Sequence, residues 1–273
     1  MASATLVIAA AILGVFIGML SGLLGVGGGT VMVPMFRLAF GMSAIASTAT
    51  SLFTIIPTSI SGLIAHVRNK TCMPKLGLAL GIGGACTSPL GVWLASLSPS
   101  WAVMVAAAVA IAYSAFNMIK KVRALPKGDG AGGAATAASP EPPVHPNLTP
   151  KQLGIGVVIG LFTGAISGYI GLGGGFLMVP LMLAWLNIPM KLASGTSLMA
   201  IMLLAIPGAI MQGVLGNIDY LVGIATAVGT IPGAYVGARL VSRVPERALR
   251  ITFAVFLAIG AVLLVVRELS FFV

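Results

Sequence analysis

Long apolar segments alternate with short polar turns along almost the whole chain of 273 residues. About eight of these segments have the roughly 20 residues that an α-helix needs to cross the hydrocarbon of a bilayer. Two further apolar pieces, 30–40 and 176–186, are too short to cross. The pattern predicts an all-α polytopic membrane protein whose long segments are 6–24, 45–65, 76–97, 101–119, 153–170, 192–214, 220–241 and 248–266.

The composition supports this prediction. The chain is 58% hydrophobic and 7% charged, with a mean hydropathy of +1.10, whereas soluble domains carry about 25% charged residues. The first 20 residues contain no Lys or Arg, so we interpret them as the first membrane segment and not as a secretory signal. We therefore expect a multi-pass protein of the cell membrane, in a bacterium the inner membrane, with the lipid bilayer as its surroundings.

The same sequence motif occurs twice. SGLLGVGGGTVMVP begins at Ser21 and SGYIGLGGGFLMVP begins at Ser167, with 9 of 14 positions identical. The spacing of 146 residues continues into a TSL triplet at Thr50 and Thr196. An internal duplication of this kind is a common design of transporters. It predicts two transmembrane repeats, 1–120 and 151–273, joined by a flexible cytoplasmic linker at 121–150 that is rich in Gly, Ala and Pro.

Basic residues suggest that the two repeats are inverted. The turn after the second long segment carries basic side chains in the first repeat only, and the following turn carries them in the second repeat only. Because basic turns lie on the cytoplasmic side, equivalent turns should lie on opposite sides. This requires the glycine-broken pair of each repeat to enter and return as a hairpin. The side chains involved are His66, Arg68, Lys70 and Lys75, then Arg239, Arg243, Arg247 and Arg250; Arg37 and Arg267 do not fit the scheme.

The glycine runs interrupt segments that should be membrane helices. Glycine and proline are the weakest helix formers, and broken backbone at membrane depth is tolerated where it is buried in protein or lines a cavity. Successive glycines can direct several N–H groups at one point, as in an anion nest, and the following half-helix adds the positive end of its dipole. Close helix packing is the alternative explanation. The candidate site residues are Gly25, Gly27, Gly28, Gly29, Gly171, Gly173, Gly174 and Gly175.

Hydroxyl side chains repeat close behind the glycines. Thr50 and Ser51 correspond to Thr196 and Ser197. Such residues near a segment start are ordinary helix caps, but they are also uncharged donors that can complete a shell around an anionic oxygen. We include them in the candidate substrate-binding site.

The paired motifs GLLGVGGGTVMVP and GYIGLGGGFLMVP, each followed by TSL, resemble the TauE/SafE family of sulfite and organosulfonate transporters. The resemblance covers both repeats and excludes the linker. It implies a transporter for a small sulfur-containing oxyanion such as sulfite, sulfoacetate or a similar sulfonate. A transporter of another small anion and a structural or sensory membrane scaffold remain alternatives. The exact substrate, the direction, the coupling ion and the oligomeric state are not visible in the sequence.

Other function classes fit the charged residues poorly. All five acidic residues are expected in loops or at segment ends, whereas cation carriers place carboxylates inside the membrane. The net charge is +10, and most of the basic residues flank apolar segments. They therefore indicate the orientation of the chain in the membrane, and we expect no nucleic-acid partner. Cys72, Cys86, His66 and His145 lack the clustering of a zinc site. We therefore expect no metal, no cofactor and no catalytic residue, hence no enzyme, and we expect His66 to be interfacial beside Arg68.

Overall fold

The computed structural model describes residues 4–123 and 148–272, with side chains from 8 to 120 and from 148 to 264. The predicted linker at 121–150 lies outside the described residues apart from its ends. The described chain forms ten α-helices: α1 Ala4–Leu24, α2 Gly29–Ala39, α3 Ala44–Arg68, α4 Pro74–Leu97, α5 Ser100–Arg123, α6 Pro150–Ile170, α7 Gly175–Trp185, α8 Met190–Val214, α9 Tyr220–Leu240 and α10 Glu246–Phe272.

The helix lengths agree with a polytopic membrane protein. Within the described residues, seven helices are long and apolar enough to cross a membrane, namely α3, α4, α5, α6, α8, α9 and α10. The remaining three are shorter apolar helices, with α1 counted from Ile8. The predicted all-α polytopic fold is therefore confirmed.

The two repeats have the same local structure. Helices α1, α2 and α3 begin and end 146 residues before α6, α7 and α8. Positive φ angles recur at positions 146 residues apart. Outside the glycine runs, two such pairs combine a glycine in one repeat with another residue in the other. Lys70 (φ 57°) corresponds to Gly216 (φ 70°), and Asn187 (φ 51°) corresponds to Gly41 (φ 61°). The backbone of the repeat is thus kept where the side chains have changed.

Small residues let two pairs of helices pack with their backbones in contact. Gly14, Gly18 and Gly22 of α1 lie against Thr226, Thr230 and Ala234 of α9, respectively. Gly160, Gly164 and Gly168 of α6 lie against Leu80, Gly84 and Ser88 of α4. A Cβ at any of these glycines would overlap the partner backbone, so this stripe is a packing surface. Because the contacts advance together along both helices, α1 runs parallel to α9 and α6 runs parallel to α4.

Helices α3 and α8 cross in the centre of the protein. Leu52 of α3 lies near Gly208 of α8, and Gly62 of α3 lies near Leu198 of α8, so these two helices are antiparallel. Parallel partners flank them on the outer side. Thr58 Oγ1 of α3 lies 2.6 Å from Thr230 Oγ1 of α9. Farther along both helices, Asn69 Nδ2 donates to Ala238 O at 3.1 Å, so α3 and α9 run in the same direction. Met199 of α8 lies beside Gly77 of α4 in the equivalent pair.

Each glycine break reverses the chain. A Cβ placed on Gly28 would lie 3.3 Å from Ile17 Cγ2 and 3.5 Å from Ser21 Cβ, so the chain has returned by two turns along α1 before α2 begins. Gly174 lies in the same way beside Ser167 of α6. The broken pair of each repeat is therefore a hairpin, as predicted.

One end of the bundle collects the basic turns. Arg68 Nη1 donates to the Tyr235 hydroxyl at 2.9 Å, and Lys191 Nζ donates to Ser242 O at 3.1 Å. Glu246 accepts from Met190 N at 3.2 Å at this same end. Asp219 lies at the other end of α3, where its N–H donates to Thr50 Oγ1 at 3.0 Å. The turn after α3 and the turn after α9 therefore share an end, and the turn after α8 does not.

Candidate functional site

The glycine breaks use a left-handed backbone. Gly25, Gly27 and Gly28 have φ angles of 74°, 82° and 85°, and their partners Gly171, Gly173 and Gly174 have 70°, 81° and 73°. For residues other than glycine, this left-handed conformation costs about 1–2 kcal/mol of conformational free energy. Glycine is therefore required by the turn itself, which explains why the motif is repeated.

Backbone N–H groups at the breaks are available to a ligand. Among the described residues, the N–H groups of Gly27, Gly28, Gly173 and Gly174 donate no hydrogen bond to the protein. Gly28 and Gly174 are the N-cap residues of α2 and α7, and no side chain caps either helix. Each break thus places unpaired donors at the positive end of a helix dipole, which favours an anion.

The two breaks contact each other. A Cβ on Gly29 would lie 2.5 Å from Leu172 O, and a Cβ on Gly175 would lie 2.5 Å from Gly25 O and 2.8 Å from Val26 Cα. Gly29 and Gly175 are the first residues of α2 and α7. Their absence of a side chain serves this backbone contact, so the packing explanation holds for these two predicted site residues. The contact brings the donors of both repeats to one place in the core.

Serine hydroxyls supply further donors beside the breaks. Ser21 and Ser167 are fully buried, and neither hydroxyl has a partner among the described residues. Ser21 Cβ lies 3.5 Å from the Cβ position of Gly28, and Ser167 Cβ lies 3.4 Å from that of Gly174. The sequence prediction omitted both, although each is the first residue of its motif. The signal that could have found them is their repetition.

The predicted serines on α3 and α8 differ in their contacts. Ser197 Oγ donates to Gly25 O at 2.6 Å and contacts Ser194 O at 2.8 Å. Ser51 is fully buried, and its hydroxyl has no partner among the described residues. Ser197 therefore fastens the first break, whereas Ser51 leaves a donor unused.

The predicted threonines are engaged at the turns. Thr50 Oγ1 accepts from Asp219 N, and Thr196 Oγ1 accepts from Met73 N, both at 3.0 Å. Each hydroxyl ties the start of its helix to a turn of the other repeat. The structure thus gives Thr50 and Thr196 a positioning contact away from the glycine N–H groups.

Two isoleucines lie between the breaks. A Cβ on Gly27 would stand 3.2 Å from Ile201 Cγ2 and 3.3 Å from Ile55 Cγ2. The same two side chains face Gly173, at 3.6 Å from Ile201 Cγ2 and 2.9 Å from Ile55 Cδ1. Ile55 and Ile201 are equivalent residues of the two repeats, and sequence reasoning missed them. They form an apolar wall beside the polar donors.

The side chain of His66, which we expected to be interfacial beside Arg68, is covered by protein near the end of α3. His66 is fully buried, with Nε2 at 2.8 Å from Gly22 O and Nδ1 at 2.7 Å from Thr71 Oγ1. Its buried position arises because α3 packs between α1, α8 and α9. Within the described ranges, no three His, Cys, Asp or Glu side chains are grouped as metal ligands.

Comparison with known proteins assigns the chain to a family. The family model for the sulfite exporter TauE/SafE matches residues 10–264. The probable membrane transporter protein YunE of Bacillus subtilis (strain 168) is 28% identical over 260 residues, which cover 93% of each chain. The probable membrane transporter protein YdhB of the same organism is 27% identical over 91% of this chain and 96% of its own. A probable membrane transporter protein of Methanocaldococcus jannaschii, MJ0441, is 25% identical over 91% of each chain.

No solved structure matches this chain. The family match covers both repeats and both glycine breaks, and the relatives match over nearly their whole length. The chain therefore belongs to the sulfite exporter TauE/SafE family of membrane transporters.

Proposed function

We propose that this protein is a secondary transporter that carries a small sulfur-containing oxyanion, such as sulfite, sulfoacetate or a similar sulfonate, by alternating access. The observation that carries the proposal is the pair of contacting glycine turns, with N–H groups at Gly27, Gly28, Gly173 and Gly174 that bind no other group in the described protein. Such donors suit an acceptor-only ligand. The family description, sulfite exporter, is the reason for choosing sulfur among the oxyanions.

The chemistry of the donors favours an anion that has several oxygens. Unpaired hydroxyls at Ser21 and Ser167 lie beside the breaks, and Ser51 of α3 carries another unpaired hydroxyl. Each can donate to a different oxygen. Charge-assisted hydrogen bonds contribute about 1.5–3 kcal/mol each. Three or four of them bind a sulfonate group without a buried countercharge at the glycines. The isoleucine wall at Ile55 and Ile201 offers an apolar surface for a substituent on the sulfur.

We infer that the repeats are inverted. The contact directions place α1, α3 and α9 in one orientation and α4, α6 and α8 in the other. Equivalent helices of the two repeats therefore run oppositely, as a two-fold axis in the membrane plane requires. The end that carries Arg68 and Arg239 is then the cytoplasmic one. Alternating access then arises when the two repeats exchange conformations, so that the repeat that was closed becomes open and the other closes.

Cysteine labelling tests the orientation. In a Cys86→Ala background, the remaining Cys72 is buried, and burial raises the pKa of its thiol to about 12, so it should not react with a maleimide. We expect Lys75→Cys and Arg243→Cys to be labelled from the cytoplasm, and Leu215→Cys to be labelled from outside by an impermeant reagent. Labelling of all three from one side would rule out the inverted arrangement.

Flux measurements test the substrate and the site. The purified protein in proteoliposomes should exchange labelled sulfite or sulfoacetate faster than acetate or gluconate. Gly174→Ala adds one methyl group where the nearest atom is 3.4 Å away, at a φ of 73°. Gly216→Ala is its matched control, because it has a φ of 70° and open space around it, far from the breaks.

Both variants should lose a similar amount of folding stability. Only Gly174→Ala should weaken sulfoacetate binding per folded molecule, by about tenfold or more if one charge-assisted hydrogen bond is lost. Equal binding by the two variants would exclude the glycine turn as the site. Equal exchange of sulfite, sulfoacetate and gluconate by the parent protein would remove the proposed substrate class.

A further inference from the structure

We propose that His66 is the proton-binding residue that couples proton movement to transport, an inference that rests on the proposed transport function. His66 Nε2 lies 2.8 Å from Gly22 O, and a carbonyl oxygen only accepts. Nε2 must therefore carry a hydrogen, and protonation changes Nδ1 alone.

Thr71 is arranged to satisfy Nδ1 in both protonation states. Its Oγ1 lies 2.7 Å from His66 Nδ1 and 3.2 Å from His66 O. When the imidazole is neutral, the Thr71 hydroxyl donates to the lone pair of Nδ1. When Nδ1 takes a proton, the hydroxyl turns, accepts from Nδ1–H and donates to His66 O. One proton is gained from the solution as hydronium, which leaves a water molecule behind, and no hydrogen bond is lost.

The end of α1 provides a partial negative charge for the imidazolium. Gly22 lies in the last turn of α1, whose carbonyl oxygens have no partner within the helix. A cation at a helix C-terminus is stabilised by the dipole. Protonation thus converts the bond from α3 to Gly22 into a charge-assisted one. Since Gly22 stands three residues before the Gly25 turn, the proton strengthens the fastening of the first glycine break.

Other ionisable groups near this end do not replace His66. The described part of α1 from Ile8 has none. The adjoining turn carries Lys70 and Cys72, and α9 carries Tyr235 and Arg239, which stack on each other at 4.9 Å. Arg68, Lys75 and Lys191 are cations at the same end, and Glu246 there is paired with Arg250. His66 differs from these groups because it is fully buried and both of its ring nitrogens are hydrogen-bonded.

The second repeat supplies a control built into the chain. Gln212 occupies the position equivalent to His66, and Asn217 occupies that of Thr71. Gln212 is buried, and its Oε1 accepts from Asn217 Nδ2 at 2.7 Å. The same side-chain link therefore exists at both ends of the protein, but the link in the second repeat cannot titrate. Of these two links, the one in the first repeat can bind a proton and the one in the second repeat cannot.

The first test compares flux with and without a pH gradient. In proteoliposomes with the membrane potential clamped at zero, one coupled proton allows about tenfold accumulation of labelled sulfoacetate per pH unit, since one pH unit is worth about 1.4 kcal/mol. We expect the parent protein to show this dependence. His66→Gln with Thr71→Asn, which copies the second repeat, should lose the gradient dependence, expressed as the ratio of flux with a pH gradient to exchange at equal pH in the same variant. Gln212→Asn is the matched control and should keep it. Retention of the gradient dependence by the double variant would overturn the proposal.

The second test observes the imidazole directly. The chain has two histidines, His66 and His145, so His145→Asn leaves a single signal in a protein labelled with ¹⁵N-histidine. We expect the Nε2–H tautomer at alkaline pH and imidazolium at the acidic end of the titration, with a further change on adding sulfoacetate. A neutral imidazole throughout, with or without sulfoacetate, would overturn the proposal. If the parent carries no sulfur oxyanion, the proposed function fails, and this spectrum still decides whether His66 binds a proton.

Discussion

The two glycine breaks share one backbone conformation but are held by different hydrogen bonds. At the first break, Gly25 O accepts from Ser197 Oγ at 2.6 Å, and His66 binds Gly22 O one turn earlier. At the second break, the equivalent Ser51 hydroxyl has no partner in the described protein. Left-handed turns need glycine in both repeats, so duplication preserved them. The hydrogen bonds that hold the turns differ between the repeats, and we infer that the second break opens more easily.

The largest expected effect comes from the shared backbone. Gly25→Ala and Gly171→Ala should each destabilise the protein by about 3 kcal/mol or more, because each adds left-handed strain and overlap with the backbone of the opposite repeat. Ser194 and Thr48 are the residues overlapped. Folded yield and thermal unfolding in detergent measure the effect. Gly216→Ala has the strain without the overlap and should lose about 1 kcal/mol; a loss in Gly25→Ala no larger than in this control would contradict the comparison of contacts.

The fastening itself should show the next largest difference. Ser197→Ala leaves the buried carbonyl of Gly25 without a donor and should cost about 1–3 kcal/mol of unfolding free energy. Ser51→Ala removes a hydroxyl that has no partner and should leave stability unchanged or slightly higher. The pair is matched in residue type and repeat position. Equal losses in thermal unfolding would show that the two breaks are held alike.

The unpaired serines beside the breaks should show opposite effects on stability and on binding. Ser21→Ala and Ser167→Ala each remove a buried hydroxyl without a partner, so unfolding free energy should not fall. Sulfoacetate binding should weaken about tenfold in each, which corresponds to about 1.4 kcal/mol. Calorimetric titration of the purified variants measures it. Unchanged affinity in both would remove these hydroxyls from the site.

The smallest effect is expected at the turns where one repeat lacks glycine. Lys70 has a φ of 57°, and its partner is Gly216. Lys70→Gly should raise stability by about 0.5 kcal/mol, since relief of left-handed strain slightly exceeds the entropy cost of glycine. Asn187→Gly should change little, because Asn tolerates this conformation. A clear loss on Lys70→Gly would mean that the turn differs between the repeats.

Much of the fold follows from local properties of the sequence. Apolar length defines the spanning helices, as at 192–214 against the observed Met190–Val214. The left-handed glycines at Gly27 and Gly173 follow from their clustering and repetition, because glycine has a conformational freedom that other residues lack. The hairpin follows from the positions of the basic turns, because equivalent turns on opposite sides require the glycine-broken pair to enter and return.

Contacts between helices that are distant in sequence were decided by tertiary packing alone. His66 looked interfacial beside Arg68, but α1 and α8 cover it, and no local pattern encodes that cover. Thr50 was predicted as a ligand donor, and its oxygen also accepts a hydrogen bond from Asp219 N of the other repeat, a contact that the sequence did not predict. The sequence by itself determined where the backbone must break, because chain conformation is a local property. The tertiary structure decided which polar groups remain unpaired beside the break, because that depends on which helices meet.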